Sequence, residues 1–186
     1  MSRWVVGIDE VGRGPLAGPV VVAAVAVRGT GHLALGAGRI RDSKQLSSKQ
    51  RQIIYTLITN NSAFRWAVVS VGPHLIDRIG IQVAAEFAAA KAFLRLAIPS
   101  RLVLLDGSLY LPNEYRQCTI IKGDEQIPLI AAASILAKVT RDRFMERQHA
   151  RFPEYGFAAH KGYGTRAHYQ ALRRYGSCVL HRQTFL

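Results

Sequence analysis

Four carboxylates stand at the ends of apolar runs in this sequence. Asp9 and Glu10 follow VVGI, Asp106 follows LVLL, and Asp124 follows TIIKG. Carboxylates gathered in one place repel one another unless a cation sits between them. Oxygen-only ligands favour hard divalent ions, so a pocket made from these four is expected to take Mg²⁺ or Mn²⁺. In an α/β sheet, side chains at strand ends can converge on one ligand. Any single Asp at a strand end more commonly caps a turn or a helix, and periodicity alone does not make the strands neighbours.

Gly12-Arg13-Gly14 comes directly after the first pair of acids. Side-chain bulk keeps a backbone away from a sugar, whereas glycine allows close approach and unusual dihedral angles. The tripeptide can therefore present backbone N–H and C=O groups to a ribose beside the acids. The plainer alternative is a tight turn and nothing more.

The elements that must position these residues are short. Trp4 to Ile8 and Pro19 to Val27 read as buried β-branched strands, Phe64 to Val71 alternates like a strand, and 101–105 and 118–121 are strands again. Residues 28–38 form a glycine-rich loop. A helix is expected from the Ser47 cap to Asn60, a second over 76–97, a long one from Ile127 to about Ala150 with Pro128 in its first turn, and a last one over 166–175. This order predicts an α/β protein: a mixed five-stranded sheet flanked by helices, with a C-terminal helical extension. No repeat or linker divides the 186 residues, and one domain over 1–186 is expected.

Lys plus Arg is 25 and Asp plus Glu is 12, a formal charge of +13, which points to an acidic partner, nucleic acid first. Two distant cysteines, Cys118 and Cys178, argue against a disulfide framework and for a reducing compartment. The N-terminus lacks a signal-peptide pattern and no run of eighteen apolar residues occurs, so a cytoplasmic protein without a membrane span is expected. There is no P-loop lysine motif, which excludes the P-loop NTPase reading.

The motifs then become specific. GIDEVGRGPLAGPVV, RDSKQLSSKQR (41–51), LLDGSL (104–109), IKGDEQIPLIAAASILAKVTRDRFM (121–145), FPEYGFAAHKGYGTRAHYQAL (152–172) and the tail HRQTF occur in this order over almost the whole chain. Together they resemble the ribonuclease HII family, the bacterial type 2 ribonuclease H. The resemblance implies a ribonuclease H-like fold. It also implies an endonuclease that hydrolyses the RNA strand of RNA–DNA hybrids and incises 5′ of single ribonucleotides in duplex DNA, leaving 3′-hydroxyl and 5′-phosphate ends. The implied cofactor is Mg²⁺ or Mn²⁺, two ions about 4 Å apart when substrate is bound. Asp9, Glu10, Asp106 and Asp124 are the implied catalytic and metal-binding set. Glu125 and Asp142 are rivals for the fourth place, Asp142 being the better fit to a surface ion pair.

Substrate contacts implied on the same footing are Gly12, Arg13, Gly14 and Tyr163. A deoxyribose lies flatter against a ring than a ribose with its extra hydroxyl, so Tyr163 can select an RNA-to-DNA junction. A half-buried loop tyrosine is the ordinary alternative. Lys44, His160 and Lys161 are candidate phosphate contacts or simple surface charges. Ser134 is either a core hydroxyl bonded to backbone or, by resemblance, a group near the substrate phosphate. Basic residues at 138, 141, 143, 147 and 151 recur along the long helix and can track a duplex backbone without reading bases. A type 3 ribonuclease H carries an extra N-terminal substrate-binding domain and is the less favoured subtype. A basic binding module without chemistry is the rival from another class, disfavoured by the acids. A monomer is expected.

Overall fold

The computed structural model describes residues 4–29 and 46–186, without the side chain of Arg101. Most of the predicted 28–38 loop and Lys44 lie outside the described residues.

Five strands form one mixed sheet: β1 (Trp4–Val11), β2 (Val20–Arg28), β3 (Phe64–Val71), β4 (Ser100–Asp106) and β5 (Gln117–Ile120), in the order β3-β2-β1-β4-β5. β1, β2 and β3 pair antiparallel; β1, β4 and β5 pair parallel. The central strands are buried on both faces, which explains the unbroken apolar run VVVAAVAV of β2. Its even positions, with Trp4, Val6 and Ile8 of β1, pack against α2 (Pro73–Ile79) and α3 (Ile81–Arg95). Its odd positions pack against α1 (Ser48–Asn60) and α5 (Pro128–Arg151).

Alternation of side chains along β1 sends its odd and even residues to opposite helical layers. The sheet therefore brings two layers to the site: one face leads to α5, the other to α2 and α3. Because β1 and β4 run parallel and adjacent, their C-terminal ends lie together, and both end in acids.

α1 starts as the sequence indicates. The Ser47 hydroxyl accepts from Gln50 N, and the Gln50 side chain accepts from Ser47 N, a capping box. The helix expected over 76–97 is instead two helices. Gly80 adopts φ 80°, ψ 156°, outside the helical region, and splits α2 from α3. The acids Asp9 and Glu10 lie within β1, paired with Ala23 and Val22 of β2, and do not follow the strand as its apolar run implied.

Beyond α5, Pro153–Tyr155 forms a 3₁₀ turn, α6 (Phe157–His160) a single helical turn and α7 (Arg166–Tyr175) the last helix. Tyr155, Phe157, Ala171 and Leu180 bury themselves on Met145 of α5 and on Ala17. This apolar cluster is what lays the C-terminal segment across the end of the sheet that carries the acids. Phe157 is fully buried. Phe157→Ala is expected to destabilise the protein by about 3–5 kcal/mol in urea titration, as truncation of buried aromatics does.

Candidate active site

Asp9, Glu10 and Asp106 come together. Each offers one oxygen, and these oxygens all lie within 4.8 Å of one another. Asp9 is 4% exposed. Its Oδ1 accepts the Glu10 backbone N–H at 2.7 Å, and the Ser134 hydroxyl of α5 bonds the same carboxylate. Glu10 leans the other way, with Arg13 Nη1 at 3.5 Å. Arg13 is in turn steadied by Gln82 of α3 and by Ser108 Oγ at 3.3 Å. Asp106 Oδ1 accepts from Gly123 N at 2.6 Å.

Asp124 does not stand at a strand exit. β5 stops at Ile120, Lys122 turns the chain in a left-handed conformation (φ 53°), and Asp124 lies in the one-turn helix α4 (Gly123–Gln126). It is 2% exposed and lines the same cavity as the other three acids. Its rivals point elsewhere. Glu125 is exposed and does not line the cavity. Asp142 Oδ1 takes Lys138 Nζ at 2.9 Å, the surface ion pair expected for it.

Burial, then the charges of Glu10 and Asp106, pushes the Asp9 carboxyl well above its usual range, against the opposing Ser134 hydrogen bond. Burial raises Glu10 as well, with Asp106 adding to the rise and Arg13 opposing it. Glu10 Oε2 is buried and has no hydrogen-bond partner among the described residues. A buried acceptor without a donor, among carboxylates that disfavour one another's charge, is the setting a divalent cation satisfies. The donor set is all oxygen and suits Mg²⁺ or Mn²⁺.

The cavity has a volume of about 560 Å³, and its rim includes Tyr163, Ser134, Lys138 and Arg51. Tyr163 is 42% exposed, and the Arg141 guanidinium lies 5.7 Å from its ring centre. His160 and Lys161 do not line the cavity. His160 Nε2 bonds Tyr155 O at 2.6 Å, and Lys161 Nζ bonds Ala158 O and pairs with Glu146 at 3.0 Å.

Gly12 and Gly14 differ in kind. Gly12 has φ 91°, and a Cβ there would strike the Arg141 side chain and come within 2.7 Å of Pro19 O, so the fold itself requires glycine. A Cβ on Gly14 would meet no atom of the described residues within 4 Å. Turn geometry explains the first glycine and not the second.

Arg141 corrects the basic stripe expected along α5. It is fully buried, donating from Nε to Pro19 O at 3.0 Å and from Nη2 to Ala17 O at 3.1 Å. It shares the apolar face with Ala137 and Met145, four residues either side, a pattern that periodicity could have revealed. Arg182 went unassigned although it lies in the tail motif. Also fully buried, it donates to Arg13 O at 2.7 Å, to Gly12 O and to Gly18 O at 2.9 Å. Arg51, another cavity residue missed from sequence, is anchored on Leu46 O.

A mixed sheet in this order, with acids at the adjoining ends of β1 and β4, defines the ribonuclease H-like class of hydrolase. The family model described as Ribonuclease HII matches residues 6–186. The chain is similar to the ribonuclease HII of Chlamydia muridarum, 48% identical over 181 residues, or 97% of this chain and 81% of that one. It is 46% identical to the ribonuclease HII of Pelodictyon phaeoclathratiforme over 191 residues, 99% and 90% of the two chains. Among solved structures it resembles that of the PCNA:RNase HII complex from Archaeoglobus fulgidus, with a TM-score of 0.80, 29% identity and coverage of 98% and 95%. The chain belongs to the ribonuclease HII family and is an enzyme of the ribonuclease H endonuclease class.

The raised carboxyls give a stability test. Because Asp9 and Glu10 hold protons more tightly folded than unfolded, ionising them opposes folding. The metal-free protein escapes this cost below their ordinary values of 3.8 and 4.5 and bears it in full once pH exceeds the raised ones. At pH 8 in EDTA, Asp9→Asn is expected to raise the melting temperature by about 3 °C or more, the shift about 1 kcal/mol produces at this size. The gain over wild type should shrink as pH falls. In the same melts Gly12→Ala is expected to lose several degrees, about 1–3 kcal/mol of strain, and Gly14→Ala to match wild type.

Proposed function

We propose that the protein is a metal-dependent endonuclease that cuts the RNA strand of RNA–DNA hybrids and incises 5′ of single ribonucleotides embedded in duplex DNA. The carrying observation is the meeting of Asp9, Glu10 and Asp106 within one ligand sphere, with a buried Glu10 oxygen that takes no donor among the described residues. In this reading one catalytic domain spans 1–186, and the segment from about 152 completes the substrate cleft by bringing Tyr163 to its rim. A single copy suffices, since every assigned residue comes from one chain. Two free thiols fit a reducing cytoplasm, and the work served is removal of ribonucleotides from DNA.

Asp9, Glu10 and Asp106 hold the metal, Mg²⁺ or Mn²⁺, and Asp124 completes the set from α4. When bound, two such ions supply an activated water and charge neutralisation at the leaving 3′ oxygen. The residues do the rest. Ser134 fixes the Asp9 carboxylate through its hydroxyl, in the opening turns of α5, and stands at the cavity wall where a phosphate would lie. Arg13 holds Glu10 in place while the backbone N–H groups of Gly12-Arg13-Gly14 face the ribose, the Gly12 and Arg13 carbonyls being held by Arg182. The open space above Gly14 supports this, because the turn alone does not need glycine there. The 2′-hydroxyl is the group such a loop must read to tell RNA from DNA.

Tyr163 stacks on the deoxyribose that follows the ribonucleotide. Lys138 and Arg51 at the rim, with exposed Arg147 and Arg151 further along α5, follow the duplex phosphates. Lys44 keeps its assignment to phosphate on the strength of its motif alone. His160 and Lys161, with side chains engaged internally, belong to the frame of the tyrosine loop rather than to the phosphate contacts.

The test uses a DNA duplex carrying one ribonucleotide. Cleavage on its 5′ side with Mg²⁺ or Mn²⁺, stopped by EDTA, is the expected result; equal cutting of an all-DNA duplex sinks the reading. Asp106→Asn should lower kcat by about 10³-fold or more, about 4 kcal/mol of transition-state stabilisation, with duplex affinity retained. Gly14→Ala should raise KM for the ribonucleotide substrate while folding normally.

A further inference from the structure

Three histidines surround the tyrosine loop, and each uses one ring nitrogen to donate and the other to accept. His181 Nδ1 accepts the Cys178 backbone N–H at 2.9 Å; Cys178 O lies farther from it, at 3.3 Å, and already accepts from His181 N at 2.9 Å. A neutral His181 therefore carries its proton on Nε2, which lies 3.0 Å from His168 Nε2. That bond makes His168 Nε2 the acceptor, leaving its Nδ1–H to donate to Tyr163 O at 2.9 Å. The direction of every bond from Cys178 to Tyr163 follows from the first.

His160 makes a second, parallel connection. Its Nδ1 accepts from Gly162 N at 3.2 Å and its Nε2 donates to Tyr155 O at 2.6 Å, and its ring stacks on His168 with centres 4.4 Å apart. His168 and His181 are 0% and 2% exposed. Burial lowers the basicity of all three rings, His181 to about 4 with the His168 charge adding to the fall. Each shift favours the neutral ring on which this pattern of donors and acceptors depends.

The residue after His181 reaches the other reader. Arg182 donates to the carbonyls of Gly12, Arg13 and Gly18. The two loops also touch directly, Gly162 O accepting from Leu16 N at 2.9 Å. One dipeptide thus binds the loop proposed to read the 2′-hydroxyl through Arg182 and the loop bearing Tyr163 through His181.

We infer that His168 and His181 are positioning residues that hold Tyr163 in register with Gly12-Arg13-Gly14, and so set the preference for an RNA–DNA junction over a uniform hybrid. Neither histidine touches substrate. This rests on the proposed role of Tyr163.

The experiment measures kcat and KM on two substrates, a DNA duplex with one ribonucleotide and a uniform RNA–DNA hybrid. The readout is the ratio of the two kcat/KM values. His168→Leu and His181→Phe, which keeps an aromatic ring but no ring nitrogen, each break the chain, and each is expected to lower the ratio about tenfold, mainly through KM on the junction substrate, the effect of one buried hydrogen bond on placement. His168→Asn, whose amide nitrogen can take the place of Nδ1 as donor to Tyr163 O but which leaves His181 Nε2 without its acceptor, should lower the ratio less than His168→Leu does. Simple loss of folded protein lowers both substrates together and leaves the ratio alone. Tyr163→Ala in the same assay separates the two claims. If it lowers the ratio while both His168→Leu and His181→Phe keep the wild-type value, the relay is wrong and the tyrosine reading stands. If Tyr163→Ala keeps the wild-type ratio, the junction reading falls and the relay falls with it.

Discussion

The structure is organised around an electrostatic conflict. Three carboxylates share a ligand sphere less than 5 Å across, and burial together with mutual repulsion holds two of them away from their ordinary ionisation. Backbone offsets the conflict only in part, through the N–H groups of Glu10 and Gly123. The arrangement is imposed by the pairing of β1 with β4, by the Ser134 hydroxyl from one helical layer and by Arg13, which Gln82 of the other layer steadies. The stability given up at this point is recovered in the two apolar layers behind it, where β2 contributes eight consecutive buried residues.

A second constraint acts at the rim. The segment from Gly12 to Pro19 turns back sharply beside the acids, and several of its carbonyls face inward, away from water. Arg141 and Arg182 satisfy them. A buried guanidinium is costly without acceptors, and buried carbonyls are costly without donors; each meets most of the other's need, Arg141 Nη1 alone of these groups having no partner among the described residues. Both guanidiniums come from distant parts of the chain, which is how a loop without regular structure is held to a defined shape. The same use of interior polar groups continues in the histidines behind Tyr163.

The sequence shows much of this frame. The strand runs, the Ser47 cap, Pro128 at the head of α5 and the acids themselves are legible because period and residue type report local conformation. Gly80 shows where that fails. An isolated glycine in an Ala-rich run is compatible with one long helix, and only packing of α2 and α3 on the sheet decides that the chain breaks there. Asp124 shows another limit: its place in α4 depends on a left-handed Lys122, a conformation that no local signal marks.

Read alone, the chain determines which residues are capable of the chemistry: a hard-cation donor set, a glycine loop beside it, and a tyrosine between glycines. It determines the family as well, because the motifs and their order suffice. What tertiary structure decides is which groups meet and which face water. Arg141 and Arg147 are the same residue type on one helix, yet the first lies in the interior and the second in solvent. Asp124 and Glu125 are adjacent acids, and only one lines the cavity. Convergence, burial and hydrogen-bond direction belong to pairs of residues far apart in sequence. Composition and spacing describe one segment at a time, so these properties appear only when the sheet closes and the C-terminal segment packs across it.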